Sequence, residues 1–519
     1  LQDIESDDFL FSIPRSTLLN TLNSKLPELI KATETSDSKN KIPKWSQIEQ
    51  KWASLILCML WERRRAQTGE EGGQAWGPYL DIMPGTFSTP MFWSKDDLKL
   101  LEGTSVEGKT KAFHGSKLTI ADRPIQIAEK IGRQEAEAEY RDLIMPLLQG
   151  RPGIFLEETE DKAGELERYY GLEQYHIMGS RILSRSFHVE PYSEQKAMQQ
   201  SAGGDADSDD EMEGAEEEEE EASTEDVADI SMVPMADMLN ARPGDYHNAK
   251  LFYKPTHLEM RSTRPIKKGE QIYNTYADPP NSDLLRRYGY VDLNAASEEL
   301  QAEGGADELD NPNDNVELGW DLVIDAAQSL KYGESSRSGS DAVEHRAKLK
   351  RRVEHFEKEG LIPDECMVFD FLAPSLVADE KAKLRFLQDD SEEAWAELFE
   401  VCKLVWIDDA SYDKQAQKEE APEAEWSSIL KDKAGDGEPN KILAAKLALA
   451  AVRLRLKRYP TSFEQDEQQY KDVSNLTGGE ASSSINLRNA LVVRIGEKRI
   501  LHRAADILEA GVRKHEAKH

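Results

Sequence analysis

Two stretches decide the reading: VPMADMLN at residues 233–240 and IYNTYADPPNSDLLRRYGY at residues 272–290. The first sets Asp237 and Asn240 in an otherwise apolar run. Polar side chains in such surroundings must be hydrogen-bonded, either to backbone or to a ligand. The second gathers Tyr273, Tyr276, Tyr288 and Tyr290 around an Asn-Thr-Tyr turn. Tyrosines grouped in this way serve as core or as the walls of a site. Between the two stretches, KLFY, a KPTH turn and LEMRST, with Leu258, Met260 and Ser262 alternating, predict short strands. A Pro-Ile-Lys-Lys-Gly turn leads into QIYNTY. Asn281 or Ser282 can cap a short helix, DLLRRY, which Gly289 ends.

Upstream, DFLFSIPRSTLL reads as a strand and turn broken at Pro14. A helix is expected to open at Ser46, which has capping-box spacing to Glu49, and to stop at Gly69. The aromatic and proline-rich text from 76 to 104 predicts packed loop with a short helix, and 121–150 and 162–180 read as helices. Downstream, 295–315 is acidic and Gly/Asn-rich, a linker by composition. From 316 onward apolar residues recur at three- and four-residue spacing, so the C-terminal part is expected to be helical throughout.

The chain has 519 residues, too many for one core at roughly 100–200 residues per domain. Its formal net charge is −34. Residues 203–226 carry fourteen acids and no Lys or Arg, and removing them from the −34 total still leaves −20. A chain this acidic does not grip nucleic acid through its global field, and its natural partners are cationic proteins. The acidic run has no apolar anchor and is expected to be disordered and dispensable for ligand binding. Cys58, Cys366 and Cys402 are too few and too scattered for a disulfide framework or a Cys-rich zinc site. No membrane span is expected, since the apolar stretch Trp52–Trp61 is far short of the roughly 20 residues a bilayer needs. Walker A, Gly-x-Gly-x-x-Gly, Gly-x-Ser-x-Gly and His-Glu-x-x-His motifs do not occur, and no metal site is expected.

Together the segments resemble a SET domain of the Rubisco-methyltransferase-like class of protein-lysine N-methyltransferases. MADMLN is similar to the class's Asn-His region, YNTY to its Asn-Tyr-Gly motif, and LLRRYGYV to the helix carrying a pocket tyrosine. LFSIPRSTLL, the WGPYLDIMP and FSTPMFW block, and SRSF at 184–187 also fit. The segment from RLKRYPTSFEQDE to VVRIGEKRIL resembles the class's helical substrate-binding domain. Within the class, LNA at 239–241 and NSDLLRRYGYV are most similar to the fungal ribosomal lysine N-methyltransferase 4 branch.

The resemblance implies an α+β fold. A β-rich SET domain would span 1–293, with a helical insert at about 46–180 and the acidic disordered loop at about 194–228. An all-helical substrate-binding domain would span 316–519. It implies S-adenosyl-L-methionine as cofactor and a basic protein substrate, a large-subunit ribosomal protein that is monomethylated on lysine. No direct nucleic acid or membrane partner, a monomeric state and a nuclear location, with the cytoplasm as alternative, complete the expectation. Tyr276 would steer the lysine nitrogen at the reacting methyl, and Tyr288 would form the opposite wall of the lysine channel. Asn240 and the backbone at Ala241 would hold the adenine or amino end of the cofactor. Arg185 and Asp237 match positions that contact the methionine moiety or order the pocket, with an Arg185–Asp237 salt bridge as the alternative. Three departures stand out: Ala241 replaces the class's His, Ala277 replaces a Gly, and the Gly-x-Gly turn expected before LFSIP is missing. With Leu as first residue, that absence leads to the expectation of a truncated N-terminus.

Methyl transfer to lysine is an in-line displacement by a neutral amine, so an ammonium of ordinary pKa about 10.4 must lose its proton. A dry tyrosine-lined channel beside a sulfonium lowers that pKa, and the proton can leave to water. The competing reading is a SET-like module that no longer methylates and holds a basic partner. Ala241 and the missing turn favour it; Tyr276, Tyr288, Asn240 and Asp237 count against it.

Overall fold

The computed structural model describes residues 2–34, 42–70, 75–106, 133–157, 161–189, 230–242, 246–276, 278–293, 309–333, 339–362, 366–386, 402, 405, 409–416, 438–475 and 482–517. The acidic run at 203–226, most of the 295–315 linker and Ala277 lie outside them. The chain divides into two compact units. The first takes Leu1–Phe92, Gly108–Asp278 and Arg286–Gly289, and the second Trp93–Glu107, Pro279–Leu285 and Tyr290–His519.

In the first unit β1 (Phe9–Pro14) pairs antiparallel with β6 (His257–Ser262), which pairs in turn with β5 (Ala249–Tyr253). The alternation seen in the sequence sets the register. Ile13 lies opposite Leu258 and Leu251 opposite Met260, and all four are buried on one face with Ala249. Lys254 donates to the His257 carbonyl at 2.9 Å and closes the KPTH turn. Two smaller pairings complete the β part: β2 (Ser186–His188) with β3 (Ile230–Met232), antiparallel, and β4 (Asn240–Ala241) with β7 (Tyr273–Asn274), parallel. Asn248 fixes the last of these, because its buried side chain accepts from the Tyr273 amide at 2.7 Å and donates to the Gln271 carbonyl at 3.0 Å.

The helical part of this unit is built around Trp52–Thr68, which is buried at every position from Ala53 to Glu62. A helix apolar on all faces belongs inside a core. Gly69 ends it with φ 75°, as expected for a left-handed C-terminal glycine. Its start differs from the sequence reading. Residues 45–47 form a short 3-10 turn in which the Lys44 amide donates to the Gln47 side chain, and the helix opens only at Trp52. Trp45 and Ile48 are buried, and their packing overrides the local capping preference of Ser46. Helices Lys162–Tyr170 and Leu172–Arg185 follow, the latter running directly into β2.

The second unit is mainly helical, with Trp320–Tyr332, Ser340–Lys358, Glu438–Leu456, Phe463–Ser474 and the 35-residue Ser482–Glu516. It is not all-helical. Asn315–Gly319 (β8) pairs antiparallel with Cys366–Asp370 (β9), burying Val316, Leu318, Met367 and Phe369. Each strand is five residues long and abuts helical text, so period-2 alternation too short to stand out is the reason the pair was missed. The α+β class holds. Inside this unit Asp466 accepts from Arg494 at 2.7 Å and from Lys498 at 2.6 Å, and Glu497 from Tyr459 at 2.5 Å. These buried charges are paired, as burial demands.

Helix Asn281–Tyr288 ends at Gly289, whose φ is 79°. A Cβ there would come within 2.8 Å of the Ser88 carbonyl carbon and 3.0 Å of the Thr89 nitrogen. Gly289→Ala is therefore expected to cost at least about 1–2 kcal/mol for the left-handed conformation alone, with backbone displacement added. A melt showing Gly289→Ala as stable as wild type would contradict this placement of the chain.

Candidate active site

The site is assembled in the first unit from four separate stretches of chain, around Tyr79, Arg185, Asp237 and Tyr276. Arg185 is the last residue of the 14-residue helix Leu172–Arg185, where a cation is favoured by the unsatisfied carbonyls. Its guanidinium donates from Nη1 to the Asp237 backbone carbonyl at 2.7 Å, and its Nε is buried with no hydrogen-bond partner. Asp237 sits in the 3-10 turn Ala236–Met238, entered through Met235 at φ 77°. A non-glycine residue there costs on the order of 1–3 kcal/mol, a strain that persists only where surrounding structure enforces it.

Asp237 is 2% exposed. Its Oδ2 accepts from the hydroxyl of Tyr79 at 2.8 Å, while Oδ1 is buried without a partner. Burial pushes this carboxyl up to about 6, although the Tyr79 hydrogen bond and the charge of Arg185 pull the other way. The Arg185–Asp237 ion pair considered from sequence is not the contact made, since the guanidinium meets the main-chain oxygen instead.

Tyr276 follows β7 and donates its hydroxyl to the Leu239 carbonyl at 3.0 Å. Burial raises its pKa, with Arg185 lowering it and Asp237 raising it, so all three groups feel one another. The ring of Tyr288 stacks on that of Tyr276 at 4.8 Å between centroids and 2° between planes. An alkyl chain cannot pass between rings so close. Tyr288 backs Tyr276 here, and the expectation of two facing walls is corrected to that extent. Asn240 and Ala241 form β4 beside Tyr273 and Asn274, with the Asn240 side chain exposed and Ala241 half-buried. Arg185, Asp237, Tyr276 and Tyr288 are thus brought together, and Asn240 and Ala241 lie along the adjoining strand. Tyr79 was missed in the sequence. Its only signal there was an aromatic within WGPYLDIMP, with nothing to mark it as a partner of Asp237.

The two orphaned atoms test what the site can hold. Asp237 Oδ1 is an acceptor on a carboxyl, and Arg185 Nε is a cationic donor. The pair is complementary to the ammonium and carboxylate of an amino-acid end group, which S-adenosylmethionine carries. The residues present fit that part of the cofactor.

Known proteins similar to this chain include lysine methyltransferases. The family model for the Rubisco LSMT substrate-binding domain matches residues 350–501. The chain is 32% identical over 300 residues to ribosomal lysine N-methyltransferase 4 of Saccharomyces cerevisiae (strain ATCC 204508 / S288c), covering 56% of this chain and 48% of the yeast protein. That alignment therefore spans about half of the relative's length. Identity to N-lysine methyltransferase setd6 of Xenopus laevis is 24% over 519 residues, covering 98% of this chain and 88% of that one. The fold is shared with the structure of Rubisco LSMT bound to AdoMet, at a TM-score of 0.51 and 16% identity, covering 100% of this chain and 85% of that one. The chain is thus similar, in sequence and in fold, to SET-domain protein-lysine methyltransferases of the Rubisco-methyltransferase-like class.

The buried carboxyl predicts a measurable cost. Between about pH 4 and pH 6 the native state binds more protons at Asp237 than the unfolded chain, so stability falls as pH rises through that window. Asp237→Asn removes this loss. It is expected to be at least as stable as wild type at about pH 7.5, gaining up to about 2 kcal/mol, with the difference gone near pH 4. Thermal melts across pH check this, and an Asn variant clearly less stable at neutral pH would refute the assignment.

Proposed function

We propose that this chain is an S-adenosylmethionine-dependent protein-lysine N-methyltransferase. The observation that carries the reading is the buried junction of Arg185, Asp237 and Tyr276, with complementary unpaired atoms on the first two, in a chain similar to lysine methyltransferases. Bound S-adenosylmethionine supplies an electrophilic methyl on a sulfonium. Asp237 and Arg185 hold the amino-acid end. Tyr276, whose proton is committed to the Leu239 carbonyl, presents its oxygen as an acceptor to the substrate nitrogen. That acceptance orients the nitrogen lone pair, and the half-buried tyrosine surroundings disfavour the ammonium, whose proton leaves to water before attack. Rate then comes from alignment and fixed dipoles, with no strong base required.

The finer reading is that a monomeric enzyme monomethylates a lysine of a basic large-subunit ribosomal protein in the nucleus. It is supported by identity to the yeast ribosomal enzyme and by the acidity of this chain, which suits a cationic partner. Exposed Arg346, Lys350 and Arg351 on helix Ser340–Lys358 agree with a nuclear address without establishing one. A second reading is a nuclear non-ribosomal substrate, compatible with the match over nearly the whole chain to an N-lysine methyltransferase whose name specifies no ribosomal protein. Incubating the protein and labelled cofactor with purified ribosomal proteins, and separately with nuclear extract, separates these by mass spectrometry. One methyl on one ribosomal lysine is expected.

Tyr276→Phe removes one oxygen and keeps the stacked ring. It is expected to lower kcat roughly 10²–10³-fold. Affinity for S-adenosylhomocysteine should change less than about threefold, which is under 1 kcal/mol. Wild-type turnover in this variant would mean that the chemistry lies elsewhere.

A further inference from the structure

Tyr79 lies 158 residues from Asp237 in sequence, yet its hydroxyl is the group that engages the Asp237 side chain. The segment carrying it is pinned on both sides. At its start, Gly77 lies so near helix Trp52–Thr68 that a Cβ would stand 2.8 Å from the Ala66 Cβ. At its end, Arg181 donates to the carbonyls of Met83 at 3.2 Å and Pro84 at 3.1 Å. Arg181 is itself 3% exposed and stands one helical turn before Arg185. One helix therefore clamps the Tyr79 segment with one arginine and meets the Asp237 turn with the other. Tyr79 is 8% exposed and has no freedom to follow a carboxylate that rotates away.

We infer that Tyr79 is a positioning residue that locks the Asp237 carboxylate with Oδ2 engaged and Oδ1 presented to the amino-acid end of the cofactor. This deepens the methyltransferase reading and rests on it. A carboxylate with one oxygen tied has a single orientation to offer, whereas a free one would turn toward any donor. The same hydrogen bond helps keep the carboxyl ionised. The groups facing Asp237 are Tyr79 from helix Gly77–Ile82, Arg185 from helix Leu172–Arg185 and Tyr276 from beyond β7. Tyr79 is in turn faced by Arg185 and Arg181. Of these, Tyr79 and Arg185 both hold the carboxyl down against burial, so losing the Tyr79 hydroxyl raises it further toward neutrality.

The test is calorimetric binding of S-adenosylhomocysteine to the whole protein from about pH 5 to about pH 9. It uses wild type, Tyr79→Phe, Asp237→Asn and the double variant, with a melt of each to report folding. Wild-type affinity is expected to fall as pH drops below about 6. In Tyr79→Phe that limb moves up by about one pH unit, so binding on the limb is about tenfold weaker and recovers at alkaline pH. In the Asp237→Asn background the limb is gone and Tyr79→Phe adds little, less than about twofold. A Tyr79→Phe profile unmoved from wild type, with or without a lower melting temperature, overturns the inference and leaves Tyr79 a packing residue. An equal loss from Tyr79→Phe in both backgrounds also overturns it. If wild type itself binds no S-adenosylhomocysteine, the methyltransferase reading falls and the inference with it.

Discussion

Keeping a carboxylate out of water is the constraint on which the site depends. Asp237 is buried in a turn whose entry residue, Met235, holds a backbone angle that an L side chain resists. A chain minimising its own energy would replace that acid, since burial without full pairing costs several kcal/mol. Instead three elements converge on it. The Tyr79 hydroxyl reaches one carboxyl oxygen, Arg185 takes the main-chain carbonyl, and the turn itself runs on to Leu239, whose carbonyl receives Tyr276. The strained backbone at Met235 and the unpaired polar atoms of Arg185 and Asp237 meet at one place, a combination that marks where stability has been given up for chemistry.

The backbone does as much as the side chains. The parallel pair β4–β7 joins the Asp237 turn to the Tyr276 strand over only two residues on each side, so it is weak alone. Asn248 reinforces it by accepting from the Tyr273 amide and donating to the Gln271 carbonyl, a local clasp that holds β7 wherever β5 is held. The three-stranded sheet is thereby coupled to the tyrosine. Stacking of Tyr288 on Tyr276 restricts the ring further, and Gly289 lets the chain turn sharply behind Tyr288.

Much of this was legible in the sequence, for identifiable reasons. Leu258, Met260 and Ser262 alternate cleanly because one face of β6 is buried, and Asp237 stood out because it interrupts an apolar run. Tyr276 and Arg185 were reachable through the family motifs. Tyr79 was not, because its partner is distant in the chain and its own surroundings read as generic aromatic packing. The opening of helix Trp52–Thr68 was misplaced because a local capping signal at Ser46 lost to burial of Trp45 and Ile48. The β8–β9 pair escaped because five-residue strands flanked by helix carry too little periodicity. The facing arrangement of Tyr276 and Tyr288 was expected from their roles, and the stacking of their rings leaves no signature in sequence.

Whether Arg185, the Asp237 turn and Tyr276 form one cofactor site is a question for direct labelling. The most direct measurement is ultraviolet crosslinking of radiolabelled S-adenosylmethionine to the protein, with the adduct mapped by peptide sequencing. Label is expected on peptides containing Arg185, residues 233–241 or Tyr276, competed away by S-adenosylhomocysteine. Competable label confined to peptides of the second unit, or to none of these stretches, would contradict it.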